Sequence, residues 1–108
     1  CLLNKYNDGN DYIQPHRDSP DSFGEYPVII GLSIGSSRNI NFKRVKYDPN
    51  NIKSIKLEKD SYRNFNYTLE SGSIFIMTGS SQKYFVHEIP QSNTEQVRYS
   101  FTFREFIL

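Results

Sequence analysis

Alternation of apolar and polar positions is sharpest near the end of the chain, where Arg98-Tyr99-Ser100-Phe101-Thr102-Phe103-Arg104 reads as one β-strand. Successive side chains of a strand point to opposite faces, so Tyr99, Phe101 and Phe103 share one face. Arg98, Ser100, Thr102 and Arg104 share the other. The aromatic face is expected to be core. The second face is unusual, because two guanidiniums and two hydroxyls in line fit poorly into a packed interior.

Shorter patterns of the same kind fill the rest of the chain. Leu2-Leu3-Asn4-Lys5-Tyr6 reads as a strand already under way at the first residue, and Asn7-Asp8-Gly9-Asn10 as a turn. Asp11-Tyr12-Ile13-Gln14 extends again and delivers His16-Arg17-Asp18, after which Pro20 and Gly24 mark an irregular loop. Val28, Ile29, Ile30, Leu32 and Ile34 predict a buried strand between Pro27 and Gly35, and Asn39 to Lys43 predicts the next. The polar, basic section from Tyr47 to Asn66 predicts one strand over Ile52 to Leu57 and a loose turn. Tyr67-Thr68-Leu69 leads to a turn at Glu70-Ser71-Gly72, followed by a buried strand over Ser73 to Thr78. Lys83 to Ile89 is a further strand, carrying His87, and Pro90 to Gln96 is a loop. Seven or eight short strands without a helical period predict a sandwich, barrel or jelly roll.

Composition narrows this without changing it. The 108 residues make one domain with room for one core. Ala and Trp are absent, while β-branched and aromatic residues are plentiful, which favours strands over helices. No apolar run reaches membrane-spanning length and no signal peptide is visible. The single cysteine, Cys1, excludes an internal disulfide and fits a reducing, intracellular compartment. A net charge of +1 gives no overall field for a nucleic-acid partner. The charge is uneven, however: residues 1–30 hold five acids against two bases, and residues 43–63 hold seven bases against three acids. A lysine-rich hairpin is more often a solvated edge that discourages aggregation than a binding patch.

The candidate chemistry rests on two histidines and two arginines. In His16-Arg17-Asp18, positions i and i+2 of an extended segment place imidazole and carboxylate on one face, and His87 follows 71 residues later. Two histidines and one carboxylate form the facial triad of non-haem Fe(II) oxygenases. Either histidine could instead be a hydrogen-bonded structural residue. Arg98 and Arg104 lie roughly 20 Å apart along an extended strand, at ~3.3 Å per residue. Leaning towards each other, they could grip both ends of a small dicarboxylate; otherwise they are solvated arginines on a half-exposed strand. An Fe(II) oxygenase that uses 2-oxoglutarate needs a chelating triad and a cation for each end of its cosubstrate, with Ser100 and Thr102 placed to hydrogen-bond the diacid between.

Several motifs, in order, resemble the AlkB-like 2-oxoglutarate/Fe(II) dioxygenases, nearest the DNA-repair demethylase branch. Asn4-Lys5-Tyr6-Asn7-Asp8-Gly9 followed by His16-Arg17-Asp18 looks like the family's Asn-x-Tyr-x-Asp-Gly lead into His-x-Asp. Leu32-Ser33-Ile34-Gly35 with Arg38 and Phe42-Lys43 is similar to its Ser-Leu-Gly strand and the Phe-x-Phe-Arg strand beyond. Gly72-Ser73-Ile74-Phe75-Ile76-Met77 resembles its Gly-Ser-Leu-x-x-Met, and Arg98 to Arg104 its Arg-x-Asn-Leu-Thr-Phe-Arg. The resemblance implies an all-β double-stranded β-helix (jelly roll), the catalytic core of a longer protein whose N-terminal lid precedes Cys1. It implies iron on His16, Asp18 and His87, and 2-oxoglutarate on Asn4, Tyr6, Arg98, Thr102 and Arg104. Ser100 replaces the usual Asn, and Ser19-Pro20 stand where the repair enzymes carry acids that contact the damaged base, with Asp21 a candidate replacement. Arg38 and Lys43 sit on strands that in the family face a nucleic-acid backbone.

The implied reaction is oxidative demethylation of N-alkylated bases such as 1-methyladenine and 3-methylcytosine in DNA or RNA, consuming O₂ and 2-oxoglutarate. The expected protein is an intracellular monomer without a membrane partner. Two alternatives stand beside it: hydroxylation of protein side chains, and a non-catalytic jelly-roll binding module.

Overall fold

The computed structural model describes residues 1–24, 26–59 and 64–105, so part of the predicted basic section (60–63) lies outside the described residues. Among the described residues, eight strands and two one-turn helices follow in order: β1 (Leu2–Tyr6), β2 (Ile13–His16), α1 (Pro20–Phe23), β3 (Ile29–Gly35), β4 (Arg38–Arg44), β5 (Phe65–Leu69), β6 (Ile74–Met77), α2 (Ser81–Tyr84), β7 (Phe85–Ile89) and β8 (Arg98–Arg104). They form two four-stranded antiparallel sheets, ordered β1-β8-β3-β6 and β2-β7-β4-β5. The chain repeatedly crosses between the sheets, giving the expected jelly roll.

Register decides which face of β8 looks inward. Arg98 stands opposite Tyr6 and Gly35, Ser100 opposite Asn4 and Ser33, and Thr102 opposite Leu2 and Gly31. This polar row faces the second sheet, with Arg98 and Ser100 buried. The aromatic row is therefore not core, contrary to expectation. Phe101 lies beside Leu3 and Leu32, and Phe103 beside Ile30, on the outer surface of the first sheet, where Phe103 is 46% exposed. The same reversal splits the two apolar strands predicted to be buried. In β3, Ile29 and Ser33 face inward while Ile30 and Ile34 are exposed; in β6, Met77 is buried while Ile74 and Ile76 are exposed. A strand that is apolar on both faces reads as continuous hydrophobic sequence, which cannot show which face is covered.

The core lies between the sheets. Ile40, Phe42, Leu69 and Ile89 of the second sheet meet Tyr6, Ile29 and Met77 of the first. Phe42 stacks on Phe65 at 4.8 Å between ring centroids.

Three local expectations change. Pro20 to Phe23 forms a helical turn rather than a loop, because a proline at the first helical position is already set for it and Gly24, at φ 82°, ends it. The turn of α2 takes Lys83 and Tyr84, so β7 begins at Phe85. The strand predicted over Ile52 to Leu57 is reduced to an isolated bridge between Val45 and Leu57. Its apolar positions, 52, 55 and 57, do not keep to one face of a strand.

Gly9 explains how the turn after β1 closes against the loop before β8. Its amide donates to the Thr94 carbonyl at 2.7 Å and its carbonyl accepts from Ser92 at 2.9 Å. A Cβ there would sit 2.1 Å from the Ser92 carbonyl oxygen, so backbone would have to move. Gly9→Ala is expected to destabilise the protein by about 1–3 kcal/mol, as overpacking does. Urea unfolding checks this, and an unchanged midpoint would refute the close approach.

Candidate metal and cosubstrate site

His16 ends β2 and pairs in register with His87 on β7. Ile13 pairs with Ile89, so three residues on β2 span two on β7. This bulge is what turns His16 to the inner face. Without it, a spacing of three would put Ile13 and His16 on opposite faces. Because β2 is an edge strand, Pro15 can lack an N–H at the irregularity without breaking a central ladder.

The two imidazole centroids are 4.4 Å apart, with the Phe42 ring 5.9 Å from His87. Burial first, then the charges of His16 and Arg104, push the His87 pKa down to about 3. His87 is thus a neutral imidazole near pH 7, the form that ligates a metal. His16 Nδ1 lies 2.9 Å from the Gln14 carbonyl. Donating its proton there leaves Nε2 free to ligate.

Asp18 follows two residues on. Its amide donates to Gln82 Oε1 at 3.0 Å, while its carboxylate pairs with Arg104 Nε at 2.5 Å. Among the described residues, no three His, Cys, Asp or Glu side chains are grouped closely enough to hold a metal as they stand. The structure thus brings the two histidines together and leaves the carboxylate on Arg104. As a donor set, two imidazoles with one carboxylate fit Fe(II).

A cavity of about 320 Å³ opens beside the histidines. Asn4, Tyr6, Arg98, Thr102 and Arg104 all line it, together with Ser33 and Ser100. Arg98 is 2% exposed. Its Nη2 donates to Ser33 Oγ at 2.9 Å, whereas Nε and Nη1 have no partner among the described residues. A buried, incompletely partnered guanidinium lining a cavity suits a carboxylate ligand. The Tyr6 ring lies between two guanidiniums, 5.0 Å from Arg98 and 5.4 Å from Arg38. Burial raises the Tyr6 pKa despite both charges, so the phenol stays protonated and can donate. Arg104 Nη1 donates to Thr102 Oγ1 at 2.8 Å. The opposite wall is apolar, made by Ile13, Ile40, Leu69 and Ile89.

The four expected substrate contacts lie elsewhere. Arg38 is buried, and its guanidinium donates to the carbonyls of Asp8, Asp11 and Pro90. It is a clamp on the turn after β1, with no surface to offer a backbone phosphate. Asp21 is exposed and pairs with Lys53, away from the cavity. Ser19 caps α1 through its carbonyl. Lys43 pairs with Glu88 at 3.1 Å.

Three contributors escaped the sequence reading. Ser33 was legible as a polar residue on the inward parity of an apolar strand. Gln82, which orients Asp18, lies on a helical turn that has no periodic signal. Arg17 donates to the carbonyls of Lys83 at 2.9 Å and Ser54 at 2.6 Å, and also to that of Ile52. A residue between two ligands points the other way, so its role lies outside the cavity.

The lowered His87 pKa has a sign that can be tested. The unfolded state takes up a proton near pH 6.5 that the folded state refuses until about pH 3. The favourable contribution is complete above pH 6.5 and is lost progressively as pH falls towards 3. The metal-free protein should lose stability over that window, and His87→Gln should show a shallower loss. Parallel stability curves for the two proteins would contradict the burial of a neutral imidazole.

The chain is 28% identical over 113 residues to the DNA oxidative demethylase ALKBH2 of Arabidopsis thaliana, covering 95% of this chain and 36% of that protein. It is 29% identical over 104 residues to the alpha-ketoglutarate-dependent dioxygenase alkB homolog 3 of Rattus norvegicus, covering 95% and 34%. Against the DNA oxidative demethylase ALKBH2 of Homo sapiens it is 26% identical over 112 residues, covering 99% and 39%. The chain therefore spans between a third and two-fifths of the length of these relatives. Residues 1–104 match the 2OG-Fe(II) oxygenase superfamily, and the chain belongs to it as an AlkB-like member using Fe(II) and 2-oxoglutarate.

Proposed function

We propose that the protein oxidatively demethylates N-alkylated bases in single-stranded or flipped-out nucleic acid, at a centre held by His16, Asp18 and His87. The observation that carries the reading is the buried Arg98. It lines the same cavity as a pair of adjacent imidazoles, and its Nε and Nη1 have no hydrogen-bond partner among the described residues. The names of the relatives, DNA oxidative demethylases among them, support the nucleic-acid substrate. Bound Fe(II) supplies O₂ activation coupled to decarboxylation of 2-oxoglutarate. The balance is one N-methyl group, one O₂ and one 2-oxoglutarate giving the N–H base, formaldehyde, succinate and CO₂.

The chain's own residues bind and orient. Arg98, held in place by Ser33, takes the distal carboxylate, and Tyr6 and Asn4 border the same end. Arg104 and Thr102 border the other end, next to Asp18. The wall of Ile13, Ile40, Leu69 and Ile89 keeps bulk water from the reacting groups. The target base has to leave its stack to reach the histidines. Among the described residues no helix is long and apolar enough to cross a membrane. With one exposed thiol at Cys1, an intracellular setting is part of this proposal.

Three outcomes test it. Mn(II) should raise the melting temperature of the wild type and leave His87→Ala unchanged, because the ligands converge only in the folded chain. Arg98→Met should weaken 2-oxoglutarate binding by about 2–5 kcal/mol while leaving the Mn(II)-induced shift intact. Equal cosubstrate affinity would return Arg98 to a structural role. For substrate, an oligonucleotide carrying 1-methyladenine or 3-methylcytosine should release formaldehyde and succinate in equal amounts. Succinate without formaldehyde from any methylated DNA or RNA would favour protein hydroxylation instead.

A further inference from the structure

Of the three candidate metal ligands, Asp18 is the one that no strand holds. β2 ends at His16, where the ladder with β7 fixes the imidazole opposite His87, and β3 begins only at Ile29. Between them lies one helical turn, α1, and none of its side chains is buried. Apolar packing therefore does little to place this stretch. Its position rests on polar contacts, and Arg17 makes three of them.

Arg17 Nη1 donates to the Lys83 carbonyl on α2 at 2.9 Å. Its Nη2 donates to the Ser54 carbonyl at 2.6 Å and to that of Ile52. Asp18, one residue on, returns to the same helical turn, its amide donating to Oε1 of the buried Gln82 at 3.0 Å. Residues 17 and 18 thus meet residues 83 and 82. The carbonyls of Ile52 and Ser54 come from the hairpin that the Val45–Leu57 bridge closes. Its far end is braced by the Asn51 amide on the Asp48 carbonyl at 3.0 Å and the Ser54 amide on the Asn51 carbonyl at 3.1 Å. Lys53, between the two acceptors, pairs with Asp21. The stretch from 17 to 21 is therefore joined both to α2 and to the hairpin.

We propose that Arg17 is a positioning residue for the metal centre: by fixing the backbone at 17–18 against α2 and the hairpin, it keeps Asp18 within reach of His16 and His87. The inference rests on the ligand set proposed above and adds the residue that places its one ligand outside a ladder. The Asp18 carboxylate pairs with Arg104, so metal uptake asks this side chain to change partner. With the backbone fixed, that change is a side-chain event. Without Arg17, the entropy of ordering the backbone is added to it. Three carbonyls ask for a guanidinium, whose planar fork carries five donors, whereas a lysine ammonium is a point charge.

Mn(II) affinity, read from the EPR signal of the free ion well below every melting transition, separates positioning from plain stability. Arg17→Met should weaken Mn(II) binding by about 10–100-fold, the scale on which partners of metal ligands act. Arg17→Lys, which keeps the charge but not the fork, should fall between it and the wild type. Gly9→Ala is the comparison, since its turn closes on Ser92 and Thr94 and not on the ligand segment. It should lose stability and keep wild-type Mn(II) affinity. In an Asp18→Ala background the loss caused by Arg17→Met should largely vanish, because the ligand it positions is gone. Should Arg17→Met fail to fold, Arg17→Lys carries the same comparisons. Wild-type affinity in the Arg17 variants, or a loss as large without Asp18 as with it, would leave Arg17 a fastener of the hairpin and overturn the inference while the metal centre stands. An equal loss of affinity in Gly9→Ala would trace the effect to stability and overturn it too. A wild type that binds no Mn(II) would remove the ligand set, and this inference with it.

Discussion

Burying the Arg98 guanidinium inside a two-sheet sandwich is the constraint around which the interior is arranged. A guanidinium stays charged, and a buried charge without partners is among the costliest features a core can hold. The fold offsets this only in part. The Tyr6 ring covers one side, Ser33 accepts from Nη2, and Nε and Nη1 have no hydrogen-bond partner among the described residues. Each unmade hydrogen bond of this kind costs about 1–3 kcal/mol. The apolar residues that would otherwise fill β8, namely Phe101 and Phe103, are displaced to the outside. A ligand carboxylate that meets Arg98 would complete the interior, so binding and packing become one problem.

The second sheet answers a different demand. A neutral His87 must stand beside His16, which requires burial of His87 to suppress its protonation and a bulge to aim His16 inward. Phe42 backs His87, and the isoleucines beside it keep the medium apolar. Charge belongs to the first sheet and lone pairs to the second, with the cavity where they meet. Asp18 bridges the two, pairing with Arg104 across that boundary.

Much of this was legible in the chain. The alternation in Arg98 to Arg104 showed that two arginines share a face, whereas the His16/Asp18 spacing did not show that the carboxylate would pair with Arg104. What alternation could not show is which face looks inward, since Ile30, Ile34, Ile74 and Ile76 are as apolar as the residues that are buried. Solvent exposure is a property of the neighbouring sheet, not of the strand. The substrate side read least well. Arg38 and Asp21 are charged residues near the right segments, yet Arg38 turns in to three carbonyls and Asp21 turns out to Lys53. Side-chain direction in loops and at strand starts follows local hydrogen bonding, which spacing does not encode.

Arg17 gives the site a mechanical property. It sits between two candidate ligands on one short segment, and its fork grips three carbonyls from two other parts of the chain. Ligand geometry and hairpin position therefore share a lever with its pivot at a single backbone unit. Tension on the hairpin, from whatever it contacts, reaches His16 and Asp18 through one peptide bond on either side. The surface of this small domain and its buried chemistry cannot be tuned independently.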